Sequence, residues 1–227
     1  MSLQGSSGTT AALEALAARE SPNARGEATR ERIIVAAERL FAEQGIDAVP
    51  LRDIGLAAGQ KNSVAVQYHF GDRENLIRAV ASHRAAFVEQ IQVELLAELE
   101  TTGRPPRATD HVRAFVVSLA RNVSEDNHYV PFLSRYMVER GGYGGLELSV
   151  PSDTVAGLTR LLRSSLPDLP DPVIDRRWEI VMTTTVNTLG RYQMALHADR
   201  LDAPLDELVD DLARFLAVGL AAPLDLD

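Results

Sequence analysis

A chain of 227 residues with 45% apolar content and a mean hydropathy near zero (−0.08) can bury a real core, as one large or two small domains, which excludes wholesale disorder. It contains no cysteine, so disulfides, zinc–thiolate sites and thiol catalysis are excluded, and no apolar run approaches the roughly 20 residues of a membrane span. The formal charge of −9 argues against a nucleic-acid partner only until it is divided: from Arg25 to Arg84 nine basic residues stand against eight acidic ones, a net +1, which leaves −10 on the rest.

Residues 1–25 are small and polar, with Gly5-Ser6-Ser7-Gly8-Thr9-Thr10 reading as a flexible tail. They lack the basic-then-apolar order of a secretory signal, and the expected location is the cytoplasm. Ser21-Pro22-Asn23 breaks any helix in that tail. Arg30 to Gly45 then sets Ile33, Ala37, Leu40 and Phe41 on one face of an amphipathic helix.

Leu51, Ile54, Gly55 and Ala58 recur at i, i+3, i+4 and i+7, with Pro50 suited to the first helical position and Gly59 to a left-handed stop. Asn62 or Ser63 is placed to cap a further short helix, Val64 to His69. Two helices joined by a glycine-containing turn make a helix-turn-helix, whose second helix enters the DNA major groove. Asp72 is the expected cap of the next helix.

The ordered set Thr29-Arg30, Ile33, Ala37, Leu40-Phe41, Gly45, Arg52-Asp53-Ile54, Ala58-Gly59, Tyr68-His69-Phe70, Arg73 and Leu76 resembles the N-terminal domain of TetR-family transcriptional regulators. The likeness covers roughly residues 28–80. Two positions depart from the family pattern: the turn after Gly59 is one residue longer, and Gln67 stands where the family often has tyrosine.

From Arg73, apolar residues Leu76, Ile77, Val80, Phe87, Val88, Ile91 and Leu95 run at helical spacing to about Glu100, until Gly103-Arg104-Pro105-Pro106 ends the helix. Further helices are expected over about Arg107–Asn122, Tyr129–Arg140, Ser152–Ser165, Pro172–His197 and from Asp202-Pro204 to Leu220. Gly141-Gly142-Tyr143-Gly144-Gly145 has no strand before it and no helix directly after, so it reads as a loop and not a phosphate cradle. Val155, Leu158, Leu161 and Leu162 are the expected buried face of their helix. No stretch alternates with period two, so the fold class is all-α: a three-helix helix-turn-helix head (26–72) and a larger helical body (73–222), about nine helices in all.

The residue chemistry assigns candidate roles. In the head, Arg52, Lys61, Asn62, Ser63, Gln67, Tyr68, His69 and Arg73 are the polar groups with reach. Asn and Gln bond adenine edges bidentately, while Tyr68, His69 and Arg73 are suited to phosphates. Arg19 and Arg25 are placed for a groove-reaching arm. In the body, Phe115, Tyr129, Phe132, Arg135, Tyr136, Trp178, Met182, Thr185 and Tyr192 have the apolar-with-few-polar character of a ligand pocket. Thr183-Thr184-Thr185 and Asn187 inside one helix must face water, an interface or a ligand. One head reads few base pairs, so a homodimer is expected, with the last two helices as its surface.

The family resemblance implies the same dimer on a palindromic double-stranded operator, commonly as a repressor, released when a small-molecule effector bound in the body shifts the helix that opens at Arg73. The rivals are an α-helical enzyme or a protein-interaction domain. His69, His83, His111, His128 and His197 have no metal spacing, no serine sits in a G-x-S-x-G elbow, and no carboxylate pair stands out. No catalytic residue, metal or cofactor is expected.

Overall fold

The computed structural model describes residues 22–61, 64–101, 103–142 and 152–224. They form ten helices: α1 (Pro22–Gln44), α2 (Leu51–Ala57), α3 (Ala65–Phe70), α4 (Arg73–His83), α5 (Ala85–Glu100), α6 (Ala108–Ala120), α7 (Tyr129–Arg140), α8 (Ser152–Ser165), α9 (Asp171–His197) and α10 (Leu205–Ala221). No strand occurs among the described residues.

The head closes as its sequence pattern dictates. Ile33, Ala37 and Phe41 of α1 are wholly buried, against Ile54 of α2, Val66 and Phe70 of α3, and Leu76, Ile77 and Val80 of α4. Gly59 is the expected stop at φ +72°, and Gly71 ends α3 in the same way at φ +78°, a region that costs glycine nothing. Asp72 caps α4, its carboxylate accepting the Asn75 N–H at 2.8 Å.

The helix read as continuous from Arg73 to Glu100 is two helices. Arg84 (φ −112°, ψ −1°) ends α4 and begins α5, and its Nε donates to Glu38 Oε2 of α1 at 3.2 Å. The side chain that would continue the helical stripe is drawn instead to a carboxylate buried in the head. Glu38, only 1% exposed, also accepts the His128 N–H at the start of α7 through Oε1 at 2.7 Å. This split accounts for the tenth helix.

In the body, α6 packs on α5 and α10, α9 on α7 and α10, and α8 on α6 and α9. Leu158 and Leu162 of α8 are buried, but Leu161 is largely exposed, correcting the four-residue buried face expected there; Val155 lies among the side chains not described. Arg104 grips Asp110 bidentately (2.6 and 2.8 Å) while the same carboxylate accepts the Arg107 N–H at 2.8 Å, which fixes the Pro105-Pro106 corner at the start of α6. Gly190 brings α9 close to α7: a Cβ there would lie 3.2 Å from Ser134 Cβ.

Head and body share one core through the packing of α1 on α7. Phe41 stacks on Phe132 with ring centroids 6.2 Å apart. Tyr129 donates its hydroxyl to the Ala81 carbonyl at 3.0 Å. Glu139, near the end of α7, accepts the Ile46 N–H at 2.9 Å, and Arg140 reaches both Asp47 (2.8 Å) and Glu74 (3.1 Å). The loop from Gly45 to Pro50 is therefore held by the body as firmly as by the head.

Two histidines give this core a pH dependence. Burial pushes His111 below the ordinary imidazole value, against a smaller opposing pull from Asp110. Burial also lowers His128, helped by the His197 ring 5.1 Å away and by Arg39, and opposed by Glu43 and Glu38. Above pH ~6.5 both are neutral in either state. Below it the unfolded chain takes up protons that the folded chain resists, so stability is lost as pH falls toward the depressed folded values. Urea midpoints for the wild-type chain should drop between pH 7.5 and pH 5.5, and His111→Gln should flatten that drop. An equally steep drop in the variant would remove His111 from this account.

Candidate nucleic-acid interface

The face that could meet DNA is set by which side of α3 is buried. Val66 and Phe70, one turn apart, point into the core. Gly55 of α2 faces Val66, and a Cβ there would sit in ordinary van der Waals contact with Val66 Cγ2 at 3.5 Å. The intervening residues must then point out. Gln67 is exposed, Tyr68 is 83% exposed, and His69 is half-buried with its ring edge-on to Tyr68 at 5.2 Å. A tyrosine left this open has no packing role, whereas Phe70 has one. Lys61 on the turn and Arg52 on α2 are also exposed, Arg52 with a 3.2 Å ion pair to its neighbour Asp53. Asn62 and Ser63, together with the cap they were expected to supply, lie outside the described residues, as does Arg19.

Arg73 departs from the expected phosphate clamp. Its Nη1 and Nη2 donate to the carbonyls of Ile46 and Val49 at 2.6 and 2.8 Å. Two of its N–H groups thus hold the loop that delivers α2, so Arg73 braces the helix-turn-helix. The loop's orphaned carbonyls, invisible in a sequence pattern, create that demand.

The expected pocket residues fall into two groups. Tyr129 and Phe132 belong to the joint between head and body, which corrects their reading as pocket walls, and Arg135 is partly exposed beside Glu139 at 3.7 Å. The others face the centre of the body. Phe115 meets Trp178 edge-on at 5.0 Å, Tyr136 and Thr185 are buried, and Met182 and Tyr192 pack at the margin of the core. Three polar atoms here are buried without a protein partner: His111 Nδ1, Trp178 Nε1 and Thr185 Oγ1. His111 was overlooked because a lone histidine in an apolar stripe carries no motif. Asn187 is engaged by the Ser134 hydroxyl at 2.7 Å, and Thr183 and Thr184 are half-buried.

A profile described as bacterial regulatory proteins, tetR family, matches residues 33–80, which is α1 to α4. The HTH-type transcriptional repressor AcnR of Corynebacterium glutamicum is 38% identical over 66 residues, 29% of this chain and 35% of that protein. The HTH-type transcriptional dual regulator CecR of Shigella flexneri is 34% identical over 102 residues, 44% of each. The alignments thus span under half the length of either relative. Beyond them the fold itself is shared: the fatty acid degradation regulator FadR from Bacillus halodurans superposes with a TM-score of 0.54 at 16% identity, over 83% of this chain and 94% of that one. Residues 33–80, the helix-turn-helix head, thus match the tetR family of bacterial regulatory proteins, and they are carried on an all-helical body.

Proposed function

We propose that the chain is a cytoplasmic, sequence-specific DNA-binding regulator of transcription: a homodimeric repressor on a palindromic operator, released by a small molecule held in the body. The observation that carries this reading is the outward face of α3, where Gln67 and Tyr68 stand in solvent on a helix anchored by Val66 and Phe70. Arg52, Lys61, Asn62, Ser63 and His69 complete the contact set, with residues 26–72 serving DNA and 73–222 serving dimerisation and the ligand. The unpartnered Trp178 N–H and Thr185 hydroxyl favour an occupant that offers hydrogen-bond acceptors within apolar walls.

The roles separate by experiment. Tyr68→Ala removes a phosphate-directed hydroxyl, so binding should weaken about equally on specific and random duplex. Gln67→Ala removes a base-edge contact, so it should relax discrimination by about 1–3 kcal/mol at one base pair. Sites selected from randomised duplex supply the palindrome, and a salt titration on those sites reads both effects. A wild-type chain that selects no site and binds random duplex without salt dependence overturns the reading.

A further inference from the structure

A groove of about 540 Å³ runs along the flank of the head, between α1 and α4, and it opens at the end of α3. Its polar lining is Arg30, His69, Asn75, Arg78, Ser82 and His83, over a floor that includes Phe70. No Asp or Glu is among the residues that line it, in a chain with a formal charge of −9. Both arginines are held in place without being neutralised. The Arg30 guanidinium lies 5.1 Å above the Phe70 ring, a cation–π contact that occupies its face and leaves its edge N–H groups open. Arg78 donates one N–H to the Asn75 side-chain carbonyl. Neither makes an ion pair with any described residue. Ordered donors with no acidic partner, gathered in one concavity, are the makings of an oxyanion site.

We propose that this groove seats backbone phosphates of DNA lying outside the base pairs that α3 reads. The inference rests on the DNA-binding reading above and extends it to a second surface. Continuity identifies the occupant. His69 belongs both to α3 and to the groove, so a strand leaving the reading face meets Arg30 and Arg78 next. The groove is also open to solvent and not an enclosed cavity, so it suits a polymer lying across it better than a small ligand sealed inside. Arg30 and Arg78 thus supply sequence-independent affinity and lengthen the footprint, while Gln67 keeps the discrimination.

The test is a salt titration of binding to the selected operator, once on a minimal duplex and once on one extended by several base pairs at each end. The double variant Arg30→Ala/Arg78→Ala should bind the extended duplex roughly tenfold more weakly and lose about two units of salt slope, on random as well as selected sequence. On the minimal duplex the difference should shrink. Should the double variant melt early, Arg78→Gln decides, since it can keep a bond to Asn75 and removes only charge; it should lose about one unit of slope. Unchanged slopes on DNA that the wild type binds well overturn the groove while leaving the α3 reading intact. A wild type that binds no DNA overturns both. Equal slopes, with inorganic phosphate at constant ionic strength stabilising the wild type but not the variant, assign the groove to a free oxyanion and also overturn the proposal.

Discussion

Phe132→Ala should destabilise the folded chain by about 4 kcal/mol, a large part of the 5–15 kcal/mol that holds a typical domain together. Phe132 is fully buried and its ring stacks on Phe41 of α1 at 6.2 Å. Truncation therefore forfeits the transfer energy of an aromatic ring and leaves a cavity between two helices. Those helices cannot close the gap, because their spacing is fixed at both ends of α7. At its start the His128 N–H is bound to Glu38, and at its end Glu139 and Arg140 hold Ile46, Asp47 and Glu74. Phe87, 50% exposed on α5, is the control, and Phe87→Ala should cost less than 1 kcal/mol. Urea unfolding measures both. Equal costs would mean that the contact of head and body is not a packed joint. A second readout is regional: amide protection in α1 should fall in Phe132→Ala before protection in α9 does, because the lost ring unites the head with the body.

Which parts of this architecture were legible beforehand follows from the range of the interactions concerned. Periodicity and caps are local, so the helix-turn-helix, the Asp72 cap, the stop at Gly59 and the outward Tyr68 could all be read from neighbouring residues. The break at Arg84 could not. Its cause is a carboxylate 46 positions away, and the stripe from Leu76 to Leu95 is consistent with one helix. Arg73 went astray for the same reason. An arginine opening a helix beside a reading head has the chemistry of a phosphate ligand, and only the fold brings the Ile46 and Val49 carbonyls to it. Tyr129 and Phe132 show the limit of residue type as a guide. Large rings announce burial, but whether they face a ligand or another helix depends on what lies opposite, here α1 and the end of α4.

Phe215→Asp should convert the proposed dimer to monomers and lower affinity for a palindromic operator by about a hundredfold or more, since each head would then bind without the effective concentration its twin supplies. α9 and α10 lie antiparallel, tied where Arg177 Nη1 donates to the Leu220 carbonyl at 2.9 Å and to that of Ala222. Their inner faces are used up within the chain, with Val181, Leu189, Leu212 and Leu216 all buried. Their outer faces are not. Ile180 on α9 is 62% exposed, and Phe215 and Val218 on α10 are 71% and 72% exposed. The Arg177–Leu220 contact sets Ile180 on α9 roughly level with Val218 on α10, so both helices carry exposed apolar groups at matching heights. Such a surface suits a two-fold related pair of the same kind, four helices in all. Because Phe215 touches little inside its own chain, the variant should keep its helical content. Its melting temperature should lose any dependence on protein concentration that the wild type shows. Sedimentation of both proteins decides the matter. A wild type that sediments as a monomer at micromolar concentration, or a variant that remains dimeric, would leave the exposed face of α9 and α10 without the role given to it and would remove the paired heads on which palindrome recognition depends.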